Sequence, residues 1–102
     1  MYNRFMNKNP TTPLTEQQQE ILIILQEECA EVSQEISKIF RFGIDENHKS
    51  GIPHRLVLEE EVGDLLCMID LLVEKGVVDR SNLEEAKINK QLKLKKWSNI
   101  YD

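Results

Sequence analysis

Apolar side chains recur along this chain at three- and four-residue steps in three separate stretches, with no strand signal between them. Such steps place side chains on one face of an α-helix, whereas a half-buried strand alternates in twos. Ile21, Leu25, Val32, Ile36 and Ile39 form the first stripe. Leu58, Leu65, Met68 or Ile69, and Leu72 form the second. A third runs through Leu83, Ala86, Lys90 or Gln91, and Leu94 to Trp97, with lysines on its outer face.

Capping chemistry sets the expected ends. Thr15 with Gln18 three positions on makes a capping box, Glu16 sits favourably at the positive helix end, and Gly43 suits a helix terminus. The first helix is therefore expected to run about seven turns. Asp45 to Pro53 is a polar loop punctuated by Gly51 and Pro53, so the second helix starts near His54 or Arg55 and stops at Gly76, with Lys75 favourable at its negative end. Residues 79–81 (DRS) offer caps for the third helix. Residues 1–13, with two early prolines, three asparagines and no period, read as an arm that is ordered only if it docks. The expected architecture is all-α, one domain over 1–102, with the first two helices forming an antiparallel hairpin.

Composition limits the alternatives. With 102 residues there is room for one core only, and a domain of this size buries roughly two-thirds of its unfolded surface. Three helices enclose a thin interior, so self-association is expected. No apolar run reaches the length of a membrane span and the first nine residues lack a signal-peptide core, so the chain is expected to be the mature, cytoplasmic protein. Cys29 and Cys67 lie within apolar helical runs and read as small buried apolar groups in a reducing compartment, not as a disulfide framework. The net charge is −5, which argues against polymeric nucleic acid as the main partner. That charge is unevenly spread: residues 1–86 carry 8 basic and 17 acidic side chains, and residues 87–102 carry 5 basic and 1 acidic.

Acids interrupt both long stripes. Between Leu25 and Val32 the stripe position is Glu28, with Glu31 three residues on; between Leu58 and Leu65 it is Glu61, followed by Asp64. Residues three apart are neighbours on a helix, so each helix presents an acid-x-x-acid pair where core residues belong. Four converging carboxylates repel one another and resist desolvation, and the set demands a positive partner. Thirteen glutamates produce such spacings by chance on solvated faces, but two pairs on consecutive apolar stripes are a stronger coincidence. An all-oxygen set selects a hard cation, Mg²⁺ or Mn²⁺, over zinc or copper. Di-iron chemistry is disfavoured, because no histidine follows a helical glutamate by three. Glu27, Glu35, Glu59 and Glu60 read as solvent-facing or supporting groups.

The segments EECAEVSQEISKIFRFG (27–43) and LEEEVGDLLCMIDLL (58–72) resemble the E-x-x-E … E-x-x-D signature of the all-α, MazG-like nucleotide pyrophosphohydrolases. The resemblance covers two-thirds of the chain or more and extends to Gly63 and the lysine-rich end. It implies that Glu28, Glu31, Glu61 and Asp64 hold Mg²⁺, with Mn²⁺ a substitute, while water attacks the α-phosphorus of a nucleoside triphosphate to leave a monophosphate and pyrophosphate. It also implies phosphate contacts from Lys38, Asn89, Lys90 and Lys93, with Arg41 beside Lys38, and a nucleobase pocket drawn from Phe40, Phe42, Met68 and Trp97. Core packing is the alternative for Phe40 and Met68, and Trp97 could equally anchor the last helix. Lys87 and Lys95 read as solvated, and His48 and His54 as surface residues. With one motif set, the chain resembles the compact branch of that superfamily, which implies a homodimer or homotetramer whose hairpins pair into a four-helix bundle. Two other functions stay open: phosphoribosyl-ATP pyrophosphohydrolase, which KIFRFG and KLKKW resemble less closely, and a non-catalytic helical module that binds a metal or nucleotide.

Overall fold

A computed structural model describes residues 13–46 and 50–102, and among them the chain is all-α. Three helices follow one another: α1 (Glu16–Phe42), α2 (His54–Glu74) and α3 (Arg80–Trp97). Nearly all of the expected arm, and His48 in the loop, lie outside the described residues.

Local chemistry accounts for the helix ends. Thr15 Oγ1 accepts from Gln18 N–H at 3.1 Å and Gln18 Oε1 accepts from Thr15 N–H at 2.9 Å, completing the capping box. Gly43 ends α1 at φ 97°, where an L-residue is strained, and Gly76 turns the chain after α2 at φ 75°. Asp79 caps α3 through Ser81 N–H at 2.9 Å.

α1 and α2 pack along each other as an antiparallel hairpin. Its open end is apolar: Ile21, Met68 and Leu72 are buried, with Leu22, Ile24, Leu25, Leu71, Val77 and Val78 packed around them. Gln18 Nε2 adds a 2.8 Å bond to the Lys75 carbonyl there, tying the start of α1 to the end of α2. The second stripe thus packs as expected, and Met68 is core.

The first stripe is corrected at its far end, where Ile36 is 42% exposed and Glu35 takes the buried position at 3%. A helix repeats every 3.6 residues, so a seam near the hairpin axis drifts from one row to the next over seven turns. Phe40 is 87% exposed and belongs to no core. Cys29 and Cys67 are free and exposed, not buried, because each falls beside its stripe and away from the facing helix.

α3 packs along neither α1 nor α2 and buries none of its residues. The radius of gyration is 17.5 Å, against about 13 Å for a compact domain of this length. Among the described residues, no helix is long and apolar enough to cross a membrane.

Candidate carboxylate site

The hairpin's register is set at its two ends, by Gln18 with Lys75 and by Glu35 with His54. Midway between, α1 offers Glu28 and Glu31 opposite Glu61 and Asp64 of α2. Both helices therefore turn their acid pairs toward one seam. Glu28 and Glu61 are half-buried there, while Glu31 and Asp64 are exposed at its edge.

The carboxylates act on one another across the seam. Desolvation raises the Glu28 carboxyl above its ordinary value of 4.5, and the charges of Asp64, Glu31 and Glu27, with a hydrogen bond to Asp64, push it the same way. Glu61 is raised by desolvation and then by Glu31, Asp64, Glu28 and Glu35. Each neighbouring negative charge disfavours ionisation, as does the loss of water on one side. Two helices have thus brought all four predicted acids within electrostatic reach. Among the described residues, no three acid, histidine or cysteine side chains are placed closely enough to hold a metal ion between them. In kind, the four facing acids are an all-oxygen donor set, the chemistry that suits a hard divalent cation.

This coupling predicts a pH dependence. A carboxyl whose folded pKa lies above its unfolded value binds protons more tightly when folded, so its protonation stabilises the fold. Asp45 and Asp79 are shifted the opposite way, by the Arg55 side chain and by Ser81, and lose their contribution only as the pH falls toward and below 3.8. The metal-free protein should therefore melt at a higher temperature at pH 5 than at pH 7, as calorimetry would show. A flat or inverted profile would mean that the acids do not meet.

The other predicted site residues fall in separate places. Lys38 is half-buried on α1, two turns beyond Glu31. Asn89, Lys90 and Lys93, like Lys87 and Lys95, are exposed on α3, which does not lie over the acids' seam as a packed helix. Met68 belongs to the apolar core, whereas Phe42 stacks on His54 at the opposite end of the hairpin. Fourteen residues of α2 separate Met68 from His54, about 21 Å of helix. Trp97 is 77% exposed, with Lys96 Nζ 5.2 Å from its ring centroid. The single chain does not gather these three into one pocket. An open hollow of about 520 Å³ at the α2–α3 turn, lined by Gly76, Val77, Val78, Asp79, Asn82 and Leu83, contains none of the paired acids.

His54 is not a surface residue: it is 3% exposed, and its Nδ1–H donates to Glu35 Oε2 at 2.7 Å. The signal was in the register. Glu35 continues the row of Glu28 and Glu31 toward the loop, and an antiparallel hairpin brings the last turns of one helix to the first of the next. The chain matches no family model, no curated protein and no solved structure.

Proposed function

We propose that the chain is a Mg²⁺-dependent nucleoside triphosphate pyrophosphohydrolase, with Glu28, Glu31, Glu61 and Asp64 as its cation-holding residues. The carrying observation is the mutual charge coupling of four acids borne in pairs on two facing helices. A counter-ion would relieve the repulsion within such a set, and oxygen donors suit Mg²⁺ or Mn²⁺. When bound, the ion would supply charge neutralisation for a triphosphate, which carries about four negative charges.

The remaining work falls to the chain's own groups. Glu31, Glu61 or one of the neighbouring acids would orient the water and take its proton as it attacks the α-phosphorus. The bond from that phosphorus to the bridging oxygen breaks, and pyrophosphate leaves. Lys38 on α1, and Asn89, Lys90 and Lys93 on α3, are the proposed phosphate contacts. Since α3 is unpacked in the single chain and Phe40 and Trp97 are exposed, the active unit is proposed to be a homodimer or homotetramer. Its work is proposed to be nucleotide-pool control in the cytoplasm.

A panel of ribo- and deoxynucleoside triphosphates, with phosphoribosyl-ATP beside them, tests the reading when the products are identified with Mg²⁺ and with excess chelator. Monophosphate and pyrophosphate formed only with the cation are expected. Turnover of phosphoribosyl-ATP alone would reassign the substrate. A rise in melting temperature with Mg²⁺ and no turnover of any substrate would leave a binding module instead.

A further inference from the structure

The hairpin is closed at its two ends by different physics. At the open end Ile21, Met68 and Leu72 make an apolar contact, which is non-directional, and the polar tie there, from Gln18 Nε2 to the Lys75 carbonyl at 2.8 Å, is solvent-exposed and can exchange with water. At the loop end the contacts are polar and directional. Glu35 and His54, the two buried polar residues among those described, share the 2.7 Å hydrogen bond, and the Phe42 ring lies parallel to the imidazole at 6.0 Å. His54 N–H donates to the Glu46 carbonyl at 3.1 Å, and Arg55 N–H donates to that of Ile44 at 2.8 Å. The Arg55 guanidinium grips the Asp45 carboxylate with two bonds of 2.8 and 3.2 Å.

A buried carboxylate and imidazole are costly unless they meet. Moving α2 by one residue, about 1.5 Å along its axis, would pull the ring off the carboxylate and strand both groups away from water. Glu35 stands one turn past Glu31 on the same face, and its charge reaches Glu61. The pair thus adjoins the acid cluster without belonging to either acid-x-x-acid motif.

We propose that Glu35 and His54 are a positioning pair: their buried hydrogen bond sets the register at which Glu28 and Glu31 face Glu61 and Asp64, and so controls divalent-cation affinity without touching the ion. The cation half of this inference rests on the function proposed above; the register half does not.

The exposed native cysteines provide the probe, since Cys29 adjoins Glu28 and Cys67 lies three residues beyond Asp64. Nitroxides on both, in full-length chain diluted with unlabelled protein, report the α1–α2 spacing by electron paramagnetic resonance with no metal present. A single narrow distance distribution is expected for the unsubstituted chain and for Glu35→Gln, whose amide oxygen still accepts from Nδ1–H. A broadened one is expected for His54→Ala. In unlabelled protein, Mn²⁺ affinity should fall about tenfold or more in His54→Ala, as is usual when a group supporting metal ligands is lost, and stay within about threefold in Glu35→Gln. Ile21→Val, a mild loss at the apolar end, should leave both readouts unchanged. A His54→Ala distribution no broader than that of Ile21→Val overturns the positioning role. An unsubstituted chain that binds no Mn²⁺ overturns the cation site, and the distances then decide the register claim separately.

Discussion

Replacing Glu61 by glutamine should cut pyrophosphate release by roughly 100-fold or more and, at the same time, raise the melting temperature of the metal-free protein. Glu61 is the acid on which the others converge: after desolvation, the charges of Glu31, Asp64, Glu28 and Glu35 all push its carboxyl upward. Glutamine keeps the shape and removes the charge. Without metal, that relieves like-charge repulsion in a half-desolvated seam, so the fold gains. With metal and substrate, the same change removes a ligand charge and a proton acceptor, a loss of about 3 kcal/mol of transition-state stabilisation. Opposite signs on stability and activity are the signature of a functional site. Initial rates with Mg²⁺ and a calorimetric scan in chelator measure the two halves. Glutamine at 61 with full activity would sink the catalytic reading, and a lowered melting temperature would show that the charge is satisfied within the fold.

Leu72→Ala should be the most damaging single truncation, lowering stability by about 3 kcal/mol and the melting temperature by roughly 15 °C. Ile21, Met68 and Leu72 are the only buried apolar side chains among the described residues, so the apolar end of the hairpin has little redundancy. Such a loss is a large share of the roughly 5–15 kcal/mol that holds a domain folded. Truncating Leu92 on α3 to alanine should change the melting temperature of the isolated chain very little, because that residue is 58% exposed. Thermal denaturation by circular dichroism at low protein concentration compares the two. Equal shifts would mean that α3 is part of the core.

Some features could be read from short stretches because their causes are short-range. The Thr15–Gln18 box, Gly43 and the Asp79 cap depend on residues within four positions of one another, and each ends a helix where expected. The acid pairs were equally visible, since Glu28 with Glu31 and Glu61 with Asp64 need only helical spacing to share a face. Periodicity was a poorer guide at the edges of a stripe. Cys29 and Phe40 stand beside apolar residues in the sequence, yet both are exposed, because burial depends on where the facing helix lies. Ile36 and Glu35 exchange their expected environments for the same reason.

Three helices, their ends and four acids displaced into two apolar stripes follow from local residue patterns, because capping and helical periodicity act over one or two turns. Which groups meet across the hairpin follows instead from how the two helices pack. The packed fold paired Glu35, read from the sequence as solvent-facing or supporting, with His54, read as a surface residue, in a buried bond between residues nineteen apart. It also set α3, with its lysines, away from the hairpin, where nothing local distinguishes a docked helix from an undocked one. Register and docking depend on the whole interface, in which a 1.5 Å slide exchanges one set of partners for another.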